Sequence, residues 1–193
     1  MRRAALALLA ALSLAVASGM PAVGATCRDI QFPDSVKVGG TDLVLNGLGI
    51  RKATLLRIKV YVAGLYLPKK AADGAAILSA NGRWQLVLHF VRDVDASDIR
   101  DAFHDGFEKA AGDKLAPLEK RIAALNAQVV DLKTGQSLAF TRDPAIGVTV
   151  DVNGKGGSTI AGADFADALL AIWIGAKPPN DDLKTGLLGG SCE

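Results

Sequence analysis

Two apolar runs stand almost end to end in this chain, and any fold it adopts must pair or bury both. The first, from Asp42 to Arg51, alternates Leu43 and Leu45 and continues Gly47-Leu48-Gly49-Ile50-Arg51; the second, from Leu55 to Leu67, reads LLRIKVYVAGLYL. The first alternates, and the second is rich in β-branched and aromatic residues, both of which mark strands. They read as one long antiparallel pair, ended by Pro68.

The rest of the chain is arranged around that pair. Ile30 to Val38 reads as a short strand interrupted by Pro33, with Gly39-Gly40 as a turn. Asp73 caps a short helix running to Ala80. Arg83 to Arg92 is a strand with Trp84, Leu86, Leu88 and Phe90 on one face. The period then changes. Asp95 or Ser97 caps a helix whose apolar face is Ile99, Ala102, Phe103, Gly106, Phe107 and Ala110, stopped by Gly112. A second helix spans Lys114 to Leu125. Four strands follow at 128–132, 136–141, 147–152 and 157–161, with Asn153-Gly154 suited to a two-residue hairpin. Asp164 to Ile174 is a helix that buries Phe165, Leu169, Ile172 and Trp173, with Gly175 just past its end. Asn180 caps a last helix, Asp181 to Leu188. The sum is an α+β fold: six or seven antiparallel strands with helices on one face.

The first 25 residues read as a cleavable signal peptide. Arg2 and Arg3 precede an uncharged Ala/Leu stretch from Ala4 to Val16, then helix breakers, then Val23-Gly24-Ala25 as a cleavage site. An uncleaved anchor is the rival reading, but about 20 apolar residues are needed to span a bilayer. A lipidated Cys27 is the other rival, and its preceding residues Gly24-Ala25-Thr26 suit it poorly. Removing 25 of 193 residues leaves 168, one domain from 26 to 193, placed in the periplasm or outside the cell. Two of the 22 Lys and Arg leave with the leader, so charge balances at 20 against 20. A neutral chain has no field to gather nucleic acid or an anionic membrane.

The two cysteines, Cys27 and Cys192, lie at opposite ends of the exported chain. An even count in such a protein favours a disulfide, with two free thiols as the alternative. In the chain-entropy model a closed loop beyond 100 residues contributes about 5 kcal/mol, although measured gains are often smaller.

Motifs for cofactors and metals are weak. Gly47-x-Gly49 lacks a third glycine and leads into a strand, so no helix N-terminus awaits a pyrophosphate. His89 and His104 are the only histidines, and no H-x-x-x-H or Cys/His cluster accompanies them. No cofactor and no metal is expected. Arg51 draws more interest, as a guanidinium inside an apolar strand region. Either it faces solvent and pairs with a carboxylate, or it points into a pocket and grips an anion with its fork.

The runs LNGLGIRK at 45–52 and RIKVYVAGLYLP at 57–68 resemble the chalcone isomerase-like family. So do FVRDV at 90–94, the helix carrying Phe103 and Gly106-Phe107, and FADALLAIWIG at 165–175. The likeness covers about residues 30 to 189 and is nearest to the family's exported bacterial branch, with its leader and terminal cysteines. It implies an open-faced β-sandwich, a large antiparallel sheet packed by helices with a cleft between. The plant enzymes of the family cyclise chalcones; plastid relatives without that activity bind fatty acids, an arginine gripping the carboxylate. The resemblance matches Arg51 to the active-site arginine and brings the enzymes' threonine near Tyr61. Their helical tyrosine falls at Phe103, their asparagine at Ala110, and a final polar contact around Asn180 to Asp182.

Arg51 and Tyr61 are thus the catalytic candidates, and Arg51, Tyr61 and Phe103 the ligand-binding ones. Phe103 and Ala110 lack the hydroxyl and amide that would position a polyphenol, which argues against flavonoid cyclisation. The expected function is binding of a small apolar or acidic ligand, such as a fatty acid, anchored by Arg51. The alternatives are an isomerase or lyase acting on an enone or phenol, and a structural or interaction module without a ligand.

Overall fold

A computed structural model describes residues 24–54 and 56–193. The leader reading at 1–25 lies outside the described residues but for its last two, of which Ala25 pairs with Phe32. The elements run β1 (Ala25–Cys27), β2 (Ile30–Phe32), β3 (Ser35–Val38), β4 (Thr41–Ala53), β5 (Ile58–Leu67), α1 (Gly74–Ser79), β6 (Trp84–Phe90) and α2 (Ala96–Ala111). There follow α3 (Glu119–Asn126), β7 (Ser137–Asp143), β8 (Gly147–Val152), β9 (Lys155–Ile160), α4 (Ala163–Ile174) and α5 (Asp181–Leu187). Strands β3 to β9 form one seven-stranded antiparallel sheet in chain order, and β1 and β2 form a separate hairpin. The fold is α+β, a curled antiparallel sheet packed by helices.

Each face of the sheet has its own core. Tyr61, Ala63, Leu65 and Leu67 of β5 face the helices, with Leu86, Leu88 and Phe90 of β6 beside them. Val62 and Tyr66 face the other way, onto a smaller core with Phe32, Leu43, Leu45, Leu48 and Ile50. The hairpin of β1 and β2 lies over that second face. Gly64 permits it, since a Cβ there would meet the Phe32 ring at 2.7 Å. The Tyr66 hydroxyl donates to Pro33 O at 3.0 Å. Cys27 and Cys192 are bonded, their Cα atoms 6.0 Å apart, so the chain's last residues are tied to this hairpin.

A bulge in β4 decides what each face receives. Leu45 pairs with Tyr66 and Gly47 with Leu65, leaving Asn46 as the extra residue. Leu43 and Leu45 therefore face the hairpin, whereas Gly47, Gly49 and Arg51 face the helices. Asn46 is buried, and its amide donates to Leu187 O at 2.7 Å and Ala71 O at 2.9 Å while accepting from Ala71 N. The glycines let α5 lie backbone to backbone on β4. A Cβ at Gly47 would overlap Gly186 O, one at Gly49 would overlap Leu183 O, and one at Gly186 would overlap Leu48 O. The Gly-x-Gly pattern serves this contact, not a phosphate.

Three local readings need correction. Segment 128–132 is not a strand: it makes only the Val94–Leu132 bridge. A side chain meets one of its carbonyls, and its own carboxylate serves another element. Arg100 donates to Val129 O at 2.7 Å, and Asp131 accepts from Ala96 N at 2.9 Å, capping α2 in place of Asp95. Before α3 the chain makes two 3-10 turns around Pro117, so the α-helix starts at Glu119. Gly175 ends α4 with φ −74°, extended and not left-handed. The Asn153-Gly154 turn does have positive φ at both residues, 57° and 76°, as a type I′ hairpin requires.

Among the described residues Arg142 of β7 is the one buried charge; its guanidinium bonds Asp167 of α4 and Asn81 after α1. Pairing of this kind is what makes such burial tolerable.

Candidate functional site

The antiparallel register sets three side chains in a row across the helix-facing side. Arg51 is opposite Tyr61, and Tyr61 is opposite Phe90. A second bulge, at Val60, follows Arg51 and turns both Val60 and Tyr61 toward the same space. Helix α2 brings Ile99, Ala102 and Phe103 over this row, and α4 brings Ile172 and Trp173. Between them is a cavity of about 400 Å³, with Lys177, Pro178 and Pro179 also lining it. Helices α2 and α4 cross closely at Gly106, where a Cβ would meet Ile172 at 2.8 Å. The floor is aromatic: Tyr61 and Phe90 have centroids 5.5 Å apart, and Phe103 lies 6.3 Å from Trp173. Arg51, Tyr61 and Phe103, picked out separately in the sequence, thus line one cavity.

Asp98, Asp105, Lys109 and Lys177 put charge on the cavity's lining besides Arg51, and its buried and part-buried polar contacts centre on Tyr61 and Arg51. Trp173 Nε1 donates to the Tyr61 hydroxyl at 2.9 Å, a buried bond between β5 and α4. This leaves the Tyr61 proton without a protein acceptor among the described residues. Arg51 is partly buried, and its Nη1 donates to Lys52 O and to Asn180 Oδ1, the latter at 3.2 Å. Asn180 also accepts from Lys52 N at 2.9 Å and donates to Lys52 O at 3.0 Å. Among the described residues no carboxylate pairs with Arg51, and the rest of its fork has no protein acceptor. A donor fork of this shape, next to an apolar hollow, can take a carboxylate.

Asn180 stands just before α5, but its side chain makes no capping bond there. Its amide is used on β4 instead. Asp182 strengthens the same junction, accepting from Lys52 at 3.2 Å and from Arg57 at 2.6 Å. These cations hold its carboxyl below the usual range. Residue pattern alone reads Asn180 as a cap and Trp173 as core, and the family resemblance puts a final polar contact only loosely around Asn180 to Asp182. That Asn180 is the residue reaching Arg51 and the β4 backbone is given by the structure.

Burial pushes the Tyr61 hydroxyl up to about 12, with the Trp173 bond and the Arg51 charge pulling partly back. Tyr66 is also raised, by burial first and then by the nearby Asp34 charge. These are the chain's two tyrosines. In the folded state both keep their protons after the unfolded chain, at 10.0, has lost them. Stability should therefore fall as pH climbs from 10 toward 12. Ultraviolet titration is expected to show little tyrosinate in the folded protein across that window, and nearly complete ionisation in denaturant. Ordinary ionisation near 10 in the folded state would show that neither hydroxyl is buried as described.

On the exposed face of α2, His104, Asp105 and Glu108 bring their ligand atoms within 4.8 Å of one another. That spacing is not an H-x-x-x-H pattern. The three groups are solvated on a single helix face, an arrangement common without an ion.

No curated protein sequence matches the chain. Among solved structures, it is similar to the crystal structure of a fatty-acid binding protein of Arabidopsis thaliana, at 18% identity and a TM-score of 0.67. That match covers 83% of this chain and 92% of the other. The model of the chalcone isomerase-like family matches residues 24–189, nearly all of the described chain, and the protein belongs to that family.

Proposed function

We propose that this is an exported binding protein for a small apolar molecule with an acidic end, such as a fatty acid. The observation that carries the reading is the Arg51 fork. Asn180 positions it, no protein carboxylate neutralises it among the described residues, and it opens onto a cavity walled by Phe90, Phe103, Ile172 and Trp173. The acid lies against Arg51, with the Tyr61 hydroxyl donating a second bond, and the tail lies among the aromatic side chains. The similarity in fold to the Arabidopsis fatty-acid binding protein supports the same reading. A Tyr61 hydroxyl pushed up to about 12 holds its proton at neutral pH, which suits donating a hydrogen bond better than transferring a proton. Phe103 offers no hydroxyl to align a phenolic substrate, so binding is favoured over lyase chemistry. Under this reading the leader at 1–25 is removed and the domain at 26–193 works outside the cytoplasm, where the Cys27–Cys192 bond persists.

Calorimetry with dodecanoate and with its methyl ester tests the proposal. The acid is expected to bind more tightly than the ester. Arg51→Ala should weaken the acid by about tenfold or more while leaving the ester unchanged. Arg51→Lys should fall between, because an ammonium cannot grip two oxygens in a plane. Equal affinity for acid and ester, or an unchanged acid affinity in Arg51→Ala, would defeat the reading.

A further inference from the structure

The chain is close to neutral as a whole, yet its charge is not spread evenly. From 51 to 72 it contains Arg51, Lys52, Arg57, Lys59, Lys69 and Lys70 and no acid. Four of these six belong to the hairpin of β4 and β5, and the carboxylate bridged to that hairpin is Asp182, which meets Lys52 and Arg57. The tip of the same hairpin carries Leu56, 82% exposed, and Ile58, 38% exposed, the first being the most exposed large apolar side chain among the described residues. Ile58 pairs with Ala53, and Ala53 and Val60 line the cavity, so this tip stands at the cavity's edge. Arg57 remains 65% exposed despite its ion pair, and Lys59 is exposed too.

Apolar side chains projecting into solvent beside cations, at the rim of an apolar cavity, suit a surface that is both greasy and negative. We propose that the β4–β5 tip docks on an anionic phospholipid surface, Leu56 and Ile58 entering the acyl boundary while Arg57 and Lys59 meet the phosphates. Docking of this kind presents the cavity to lipid, so that an apolar acid passes between bilayer and protein without crossing open water. That purpose rests on the binding function proposed above; the docking does not. It also qualifies the conclusion from overall neutrality: attraction to a surface acts over about a Debye length, so a local cluster suffices.

Flotation of the full exported chain with phosphatidylcholine vesicles, with and without phosphatidylglycerol, is the test. Binding is expected to the anionic vesicles and to weaken with added salt. Leu56→Ser/Ile58→Ser should lower partitioning by about tenfold or more, and Lys59→Glu by roughly fivefold or more. All three side chains are exposed, so melting should not change. Dodecanoate affinity in the absence of vesicles should also stay at the wild-type value in these variants. No flotation, equal flotation on phosphatidylcholine alone, or flotation untouched by Leu56→Ser/Ile58→Ser overturns the proposal. A concentration-dependent dimer abolished by Leu56→Ser would overturn it as well, by making the tip a self-contact. Vesicle binding in a protein that ignores dodecanoate would leave docking standing and remove the acid site; the reverse result would remove docking alone.

Discussion

Cys27→Ser/Cys192→Ser protein is expected to melt about 10–20 °C below the wild type. The bond closes a loop across 165 residues, nearly the whole described chain. Cross-linking so long a loop removes a large share of the unfolded chain's freedom, about 5 kcal/mol in the chain-entropy model. For a domain of this size each kcal/mol moves the midpoint by about 2–4 °C. The native contacts around the bond bear on the result too. Cys27 is buried with Phe32 in the smaller core, and Ile30 and Cys192 pack against it. Freed ends would loosen the hairpin over Val62 and Tyr66, and Tyr66 would then titrate nearer its ordinary value. Thermal melts of the variant, and of wild type under reductant, should agree. A midpoint within about 2 °C of the wild type would mean that the hairpin and tail stay in place by packing alone.

The second large effect is expected where α5 meets β4. Gly49→Val and Gly186→Ala each improve local propensity, since valine favours strands and alanine favours helices. Either should nonetheless cost about 3 kcal/mol, because the added carbon overlaps a backbone carbonyl on the facing element. A carbonyl cannot rotate aside as a flexible side chain can, so the helix must lift. Asn180 lifts with it and releases Arg51. Denaturant titration should show the stability loss, and dodecanoate affinity should fall by about the amount expected for Arg51→Ala although Arg51 is intact. A loss below about 1 kcal/mol with unchanged affinity would mean that α5 slides freely and does not hold the arginine.

Much of this architecture is legible in the chain. The long pair at 42–67 gives β4 and β5, the alternation in 84–90 gives β6, and the period change at 95 gives α2 with Phe103 and Phe107 inward. What period alone could not give is the side on which Arg51 emerges. Unbroken alternation from Leu43 and Leu45 puts Arg51 with them, against the hairpin. Asn46 reverses the sense, and a bulge at an asparagine inside an apolar run leaves little trace in hydrophobicity. Segment 128–132 misled for a related reason: its valines imitate a strand, while Arg100 of α2 takes up the Val129 carbonyl and the segment's own Asp131 caps α2. Arg51 was found because a charge stands out among aliphatics, whereas Tyr61 and Phe103 came from the family resemblance. Trp173 was not found, because its ring is needed by the core and only its indole N–H reaches the site.

The bulge at Asn46 also limits how this strand can change over time. Point replacements between Gly47 and Arg51 alter one contact each, but gaining or losing a single residue there would exchange the two sides. The glycines would turn to the hairpin, Leu48 and Ile50 would collide with α5, and the guanidinium would leave the cavity. Length in this stretch can therefore drift only in steps of two, so an alignment of relatives should show gaps before Asn46 or after Ala53 far more readily than between them.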